Sequence, residues 1–389
     1  MNKGLDKRRS RQKQRDKGRD HLMPLKVDTT EFSKPSKEST RTWRDSPSTP
    51  GPLMPGLTSS MTLHVTLLAR PSSANEDVLK LAIGDFNNCQ SIYREELKDL
   101  NSWVKECKLD QLQFAHQKQT YCYLSFAATL FSPDVSEARI SMSKNSVLVT
   151  IVDDLFDVGG SIEELESLVA LFDKSRRGCN WWIRSSRNFL GLDCRHVWFV
   201  SGGMESAEKN STWLSLLRSM MTESKWQRNK SIPTVEEYMA NGTISFALGP
   251  IILPALYFLG PKITDEIIKH DEYDHLFRLV STYGRLLNDI RSIERDGKLN
   301  SVSLRILHSG NSLSIEAAEK DVKKSIEDTR IELLQLVLKD GTAVPKPCKE
   351  LFWKIYTILH SFYMNTDGFS SPTEMVSAVN AVIHDSLNV

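Results

Sequence analysis

The sequence has few of the features that mark metal-thiolate, nucleic-acid-binding or membrane-spanning proteins. Its six cysteines show no C-x-x-C pair, and their scatter is typical of reduced, mostly buried thiols of an intracellular protein. The longest apolar stretch, Ile244–Gly260, is broken by Pro250 and Pro254 and is too short to span a bilayer. The net charge is only +1, so composition gives no reason to expect nucleic acid or an anionic membrane as a main partner.

The N-terminal residues differ in composition from the rest. Residues 1–20 are rich in Lys and Arg, and the next fifty are rich in Ser, Thr and Pro. Such a segment cannot bury enough apolar surface to fold. The sequence therefore predicts a disordered segment over 1–72 and one folded domain over 73–389. A targeting or nucleic-acid patch is the alternative interpretation of the basic run, which we interpret as a solvated tail.

From Asp77 onward, apolar residues recur every three to four positions, which predicts an all-α domain. No stretch shows a convincing run of alternating strands. The string Ala247-Leu248-Gly249-Pro250 should break one of the helices, because proline lacks a backbone donor and clashes one turn back. The expected helices lie at 77–106, 111–130, 137–156, 161–173, 211–227, 234–258, 263–294, 314–338 and 347–364. Long helices around a central pocket suit a large apolar ligand.

An aspartate-rich string, Asp153-Asp154-Leu155-Phe156-Asp157, directly follows an apolar run. Carboxylates at the end of a buried segment cost much free energy unless something neutralises them. On a helix, Asp153 and Asp157 lie one turn apart and face the same way, which suits Mg²⁺ coordination by hard oxygen ligands. An acidic helix end at the protein surface is the alternative interpretation.

A second set of oxygen side chains lies further along the chain. Asn288, Ser292 and Asp296 are spaced i, i+4 and i+8, so one helical face presents a carboxamide, a hydroxyl and a carboxylate. Arg285 lies one turn earlier and could contact an anion held by a metal. Alone, this string is more often a solvated helix face. Together with the aspartate-rich string it indicates a divalent-metal site.

The two motifs resemble the aspartate-rich and NSE/DTE metal motifs of class I terpene synthases, and most closely those of plant ent-kaurene synthases and kaurene-synthase-like diterpene synthases. Other strings that carry the resemblance are 152–161, 217–223, 245–251, 297–302 and 366–369. The resemblance implies the all-α class I terpene synthase fold around a central apolar cavity. Full-length relatives carry two further helical domains ahead of this one. No D-x-D-D string occurs in this sequence, so the protonation-initiated cyclisation of a class II domain is not expected.

The resemblance further implies a class I diterpene synthase. Its substrate would be an isoprenoid diphosphate, copalyl diphosphate in the ent or syn form. Its product would be a polycyclic diterpene such as ent-kaurene, made in gibberellin or phytoalexin biosynthesis. Three Mg²⁺ ions are implied, with Asp153 and Asp157 bridging two of them and Asn288, Ser292 and Asp296 binding another.

The resemblance also assigns residues to the diphosphate and to the pocket. Those implied at the diphosphate are Arg285, His116 and Lys298. Those implied in the substrate pocket are Phe246, Gly249, Ile251 and Tyr363, for which ordinary core packing is the alternative. Asp154 and Asp289 are expected to orient ligands or to pair with arginine. Thr366–Phe369 would form a lid.

Three features depart from the family pattern. His116 stands where the family usually has an arginine, and a histidine lacks the bidentate fork of that side chain. Asp296 replaces the usual glutamate and is followed at once by Gly297, without the usual spacer. Residues 175–209 do not look like the family. The alternative hypothesis is therefore a degenerate, catalytically impaired protein that keeps the fold.

Two other functions, and the cellular location, depend on the same motifs and on the N-terminal residues. An isoprenyl diphosphate synthase should show two D-D-x-x-D motifs, and the string that begins at Asn288 is not one. A nucleic-acid-binding role would rest on the basic N-terminus alone. The resemblance implies plastids, but Asp6, Asp16 and Asp20 argue against a transit peptide, so a genuine N-terminus here would indicate the cytoplasm.

Overall fold

Helices make up all the regular secondary structure in the computed structural model, which describes residues 76–116, 118–175, 207–292, 299–310, 312–363 and 372–387. These residues belong to one compact unit. The α-helices are α1 (Glu76–Glu106), α2 (Gln119–Ala127), α3 (Ser136–Asp154), α4 (Ile162–Ser175), α5 (Ala207–Asn229), α6 (Val235–Ser245), α7 (Leu248–Leu256), α8 (Asp265–Ile268), α9 (Asp271–Ser292), α10 (Ser301–His308), α11 (Ile315–Leu338), α12 (Lys346–Phe362) and α13 (Pro372–Val379). Two π-helical turns follow α3 and α13, at Leu155–Gly159 and Asn380–His384.

The all-α prediction is confirmed, with corrections to individual helices. The helix predicted at 111–130 is wrong at its start, because α2 begins only at Gln119 and a short 3₁₀ helix covers Leu109–Gln111. The helix predicted at 263–294 is two helices, α8 and α9, whose apolar periodicity runs on across the turn between them. Helices α10 and α13 were not predicted, since eight residues give only two turns of periodicity.

The break predicted at Ala247–Pro250 is confirmed, since α6 ends at Ser245 and α7 begins at Leu248. Helix α6 ends at Ser245, and Ala247 adopts a left-handed conformation with a φ of 69°. A residue other than glycine pays about 1–2 kcal/mol for that conformation. Helix α7 then begins at Leu248, and Pro250 lies in its first turn, where no N–H is needed.

Helix α7 forms the centre of the core. All of its residues from Leu248 to Leu256 are buried, and it packs against α3 on one side and α5 on another. A helix that is apolar all round must be covered on every face, which fixes the helices around it. Helix α9 packs against α11 and α12. The cysteines within the described ranges are buried free thiols, as predicted.

No single helix in the described ranges has the length and apolar character of a membrane span. Helices α6 and α7 together would pass such a test by length and composition, as a pair bent by 45° at their break. Every residue of α7 is buried within the protein.

A buried ion pair joins α1 to α3. Arg139 is fully buried, and its Nη2 and Nε donate to the Glu96 carboxylate at 2.6 and 2.7 Å. Tyr123 and Ser136 donate hydroxyl hydrogen bonds to the same carboxylate at 2.7 and 2.6 Å. The Arg139 Nη1 donates to the carbonyl of Ser132 at 3.0 Å. Both charges are thus fully hydrogen-bonded, the condition under which a buried pair is tolerated.

Replacing Arg139 with methionine should strongly destabilise the domain, because Glu96 would be left buried and unpaired. We expect a loss of about 3–5 kcal/mol in the free energy of unfolding, measured by urea denaturation. The matched control is Arg278→Met, which removes an exposed ion pair to Asp274. That variant should lose less than about 1 kcal/mol. Equal losses in the two variants would contradict a structural role for the buried pair.

Candidate active site

The aspartate-rich string lies where α3 reaches solvent. Asp153 and Asp157 are exposed, whereas Leu155 and Phe156 between them are buried, so the two carboxylates share the outer side. The helix widens here into the π turn Leu155–Gly159, closed by a hydrogen bond of 2.8 Å from Gly160 N–H to the Leu155 carbonyl. Such π turns within helices are frequent at functional sites. The buried run of α3 therefore delivers two carboxylates to the protein surface.

The third carboxylate of the string, Asp154, binds His116. Its Oδ2 accepts the main-chain N–H of His116 at 2.6 Å, and its Oδ1 lies 2.8 Å from the Nδ1 of the same residue. The Asp154 side chain is only 13% exposed and that of His116 is 67% exposed. Because a carboxylate can only accept a hydrogen bond, the Nδ1 of His116 carries the hydrogen in this contact. Asp154 thus holds His116 beside the aspartate-rich string.

The second motif lies at the end of α9. Asn288 and Ser292 are partly buried, and the helix ends at Ser292. The amide Nδ2 of Asn288 donates to the Tyr363 hydroxyl at 3.1 Å. The Ser292 hydroxyl donates to the Asp289 carbonyl at 3.2 Å. The predicted sites at Asp296 and Lys298, the predicted lid at 366–369 and most of the atypical segment 175–209 lie outside the described residues.

Arg285 is held in an internal polar network. Its Nε and Nη2 donate to the Tyr238 hydroxyl at 2.9 and 2.5 Å, and its Nε lies 3.2 Å from the Asp289 carboxylate. Burial alone would lower the pKa of Arg285, but Tyr238, Glu223 and Asp289 together raise it above the ordinary value. Burial also raises the pKa of Tyr238, so its hydroxyl stays protonated. The guanidinium is therefore charged and fixed in place.

Asp289 is the most deeply buried acid of this network, with 1% exposure. It accepts hydrogen bonds from the Tyr238 hydroxyl at 2.8 Å and from the Ser301 main-chain N–H at 3.0 Å. Ser301 is the first residue of α10. Asp289 therefore joins the end of α9 to the start of α10, across the connection that contains Asp296. Its ion pair with Arg285 is one of the two roles expected for it.

Glu223 extends the network to the helix break. Its carboxylate accepts the Ser245 hydroxyl at 2.5 Å, and Arg285 Nη2 lies 3.6 Å from the same oxygen. Sequence reasoning missed Glu223 and Tyr238 as parts of the site. Glu223 closes the string 217–223 that carried part of the resemblance. Tyr238 gave no signal, because its partners lie far away in sequence.

Of the predicted pocket residues, Phe246, Gly249 and Ile251 lie at the helix break, whereas Tyr363 lies after α12 and contacts the end of α9. Ile251 and Tyr363 are buried, with 6% and 7% exposure. Phe246 lies against α9 at Gly284, where an added Cβ would approach its Cε1 to 2.2 Å. Gly249 has more room, since an added Cβ would lie 3.5 Å from Thr212 and 3.6 Å from Phe277. The position of the Phe246 ring thus depends on the absence of a side chain at Gly284.

The candidate metal ligands among the described residues are all oxygen atoms. Asp153 and Asp157 supply exposed carboxylates, and Asn288 and Ser292 supply a carboxamide and a hydroxyl. Hard oxygen ligands without thiols fit Mg²⁺. Within the described ranges, no group of three or more His, Cys, Asp or Glu side chains is placed to hold a metal ion. A complete coordination sphere would therefore draw on water, on a phosphate ligand and on Asp296.

Both motifs fall in ranges that match known family models. Residues 105–182 match the metal-binding domain of the terpene synthase family, and residues 204–332 match the C-terminal metal-binding model of terpene synthase family 2. The chain belongs to the terpene synthase family. The residues between the two matches, 183–203, fall within the segment that departs from the family pattern.

Relatives of this chain include two synthases from rice, Oryza sativa subsp. japonica. The chloroplastic ent-kaur-16-ene synthase is 52% identical over 334 residues, which cover 81% of this chain and 43% of the relative. The chloroplastic ent-beyerene synthase is 48% identical over 352 residues, which cover 86% of this chain and 42% of the relative. The chain thus spans less than half the length of these relatives.

Solved structures of terpene synthases share the fold. Abietadiene synthase from Abies grandis aligns with a TM-score of 0.71 and 26% identity, covering 81% of this chain and 43% of that protein. Isoprene synthase from grey poplar, Populus x canescens, aligns with a TM-score of 0.75 and 25% identity. That alignment covers 85% of this chain and 66% of the poplar protein, which was solved with three Mg²⁺ ions and dimethylallyl-S-thiolodiphosphate.

Adding a methyl group at Gly284 should displace Phe246 and destabilise the domain. Overpacking of this kind costs about 1–3 kcal/mol, which exceeds the gain of about 1 kcal/mol in helix propensity. The control is Gly249→Ala, where the added methyl fits at ordinary contact distance. Thermal unfolding should show a lower melting temperature for Gly284→Ala only. A melting temperature that does not fall for Gly284→Ala would contradict the packing of Phe246.

Proposed function

We propose that this chain is the catalytic domain of a class I diterpene synthase. Its substrate would be copalyl diphosphate, in the ent or syn form, and its product a polycyclic diterpene such as ent-kaurene. The observation that carries the proposal is the pair of exposed carboxylates, Asp153 and Asp157, at the solvent end of a buried helix in a family metal-binding match. The two rice relatives, named for ent-kaur-16-ene and ent-beyerene, support a C₂₀ substrate because both hydrocarbons are diterpenes.

The metal site would be built by the two motifs. Asp153 and Asp157 would hold metal on one side, and Asn288, Ser292 and Asp296 on the other. Mg²⁺ would neutralise the charge that builds on the departing diphosphate. The three Mg²⁺ ions in the poplar isoprene synthase structure support the same number here. Lys298 would add a cationic contact to the diphosphate.

Arg285 would contact the diphosphate from a fixed position. Its contacts with Tyr238, Asp289 and Glu223 engage Nε and Nη2, and Nη1 takes part in none of them. These contacts therefore hold the Arg285 guanidinium through Nε and Nη2 and do not involve the N–H groups of Nη1. A charge held in place before the substrate binds needs little reorganisation during the reaction.

The helix break would shape the pocket for the carbocation. Buried Ile251 and the ring of Phe246 offer an apolar wall, and aromatic faces attract positive charge. Shielding from water is what a reactive cation requires. We further propose a role in gibberellin or phytoalexin biosynthesis and a plastid location, which the chloroplastic relatives support.

The alternative is a degenerate synthase that keeps the fold but ionises its substrate poorly. The contact between His116 and Asp154 favours it, because the ring replaces an arginine fork and one of its nitrogens is already engaged. The shorter side chain of Asp296 acts in the same direction.

Replacing Asp153 with alanine should abolish turnover while the helical fold is kept. The purified chain would be incubated with Mg²⁺ and ent-copalyl, syn-copalyl or geranylgeranyl diphosphate, and hydrocarbons analysed by gas chromatography and mass spectrometry. Asp328→Ala, at an exposed position on α11, is the control and should leave the products unchanged. Unchanged product formation by Asp153→Ala would refute the metal assignment. A folded chain without product from any substrate would support the degenerate alternative.

The double variant His116→Arg/Asp296→Glu tests whether the departures limit activity. It should raise kcat/KM at least about tenfold, because the restored fork and the longer carboxylate should stabilise the departing diphosphate by about 1.4 kcal/mol or more. Each single variant would be assayed beside it, with circular dichroism to verify folding. No gain in any of the three would show that neither residue is the limiting defect.

A further inference from the structure

An asparagine ligand has a requirement that an aspartate does not share. Only the carbonyl oxygen of its carboxamide can bind Mg²⁺, and a half-turn of the terminal torsion replaces it with an NH₂ group. A site that uses Asn288 therefore gains if another group distinguishes the two ends of the carboxamide.

Tyr363 contacts the nitrogen end of this carboxamide, which leaves the oxygen end facing away from it. Its hydroxyl oxygen lies 3.1 Å from the Asn288 Nδ2, so it accepts a hydrogen bond from the amide nitrogen. Since the nitrogen and the oxygen point in different directions, this contact turns Oδ1 away from Tyr363. The ring is buried, with 7% exposure, which restricts its own movement.

A second contact fixes the tyrosine main chain to the same helix. Arg291 Nε on α9 donates to the Tyr363 carbonyl at 2.8 Å. Tyr363 directly follows the last residue of α12. Two side chains of α9 thus hold one residue at the end of α12, and the hydroxyl has a defined position relative to Asn288.

We infer that Tyr363 is a positioning residue, which orients the Asn288 carboxamide so that its oxygen faces the metal. The inference rests on the proposed function and goes beyond the pocket-wall role that the sequence predicted for Tyr363. A metal held by Oδ1 would draw electron density from the amide and would make its N–H a better donor. Metal binding and the hydrogen bond therefore strengthen each other.

The first test is Tyr363→Phe, which keeps the ring and removes the hydroxyl. Binding of Mn²⁺, used in place of Mg²⁺, would be titrated by electron paramagnetic resonance on the full chain with inorganic pyrophosphate. Loss of a group that orients a metal ligand typically weakens metal binding by about 10- to 100-fold. We expect a loss in that range.

Tyr283→Phe is the matched control. Tyr283 on α9 contacts His360 on α12 at 2.7 Å between the hydroxyl and Nδ1, so this variant also removes a buried hydroxyl between the same two helices. Its melting temperature should fall about as much as that of Tyr363→Phe, with Mn²⁺ affinity unchanged. An equal loss of affinity in both variants would show a merely structural effect and overturn the inference.

The decisive measurement repeats Tyr363→Phe in an Asn288→Asp background. The two oxygens of a carboxylate are equivalent and need no selection, so Mn²⁺ affinity should change by less than about twofold. The same loss in both backgrounds would overturn the inference.

A further variant, Asn288→Ala, distinguishes a failure of the metal assignment from a failure of the positioning role alone. If it leaves Mn²⁺ binding intact, the metal assignment itself fails. If it weakens binding while Tyr363→Phe does not, only the positioning role fails.

Discussion

The site depends on one buried carboxylate, that of Asp289. A charge with 1% exposure persists only when its hydrogen-bonding capacity is used, and Arg285, Tyr238 and the Ser301 main chain use it here. Since these partners lie on α9, α6 and α10, the carboxylate holds three helices in one arrangement. It also fixes both sides of the connection that contains Asp296. Our proposed second metal motif is thus built on an interior ion pair.

The same network reaches the pocket. Glu223 links the Arg285 guanidinium to Ser245, the last residue of α6 before the break at Ala247. The helix that carries Asn288 and the break that carries Phe246 are therefore braced against each other through polar contacts. They also meet through the close approach of Phe246 to Gly284. In the proposed enzyme, Arg285, which would bind the diphosphate, and Phe246, which would line the pocket for the cation, would therefore keep a fixed distance from each other.

At the aspartate-rich string the adjacent carboxylates have different environments. Asp153 is exposed, whereas Asp154 turns inward and binds His116 through both its main chain and its ring. The less exposed acid, Asp154, is thus hydrogen-bonded, the condition under which a carboxylate is tolerated away from water. His116, which departs from the family pattern, is therefore oriented by Asp154, the residue next to the proposed ligand Asp153.

The sequence alone determined the helical class, most helix positions and the break before Gly249-Pro250, because periodicity and proline chemistry are local properties. It also pointed to the aspartate-rich string, where three acids follow an apolar run. Tertiary structure alone decided that the Asp289–Arg285 pair lies in the interior, that Tyr238 and Glu223 surround it, and that Tyr363 contacts Asn288. Tyr238, Glu223 and Tyr363 lie far in sequence from the residues they contact, as with the separation of 75 residues between Asn288 and Tyr363. Their meeting depends on how amphipathic helices pack around α7, which no local pattern encodes.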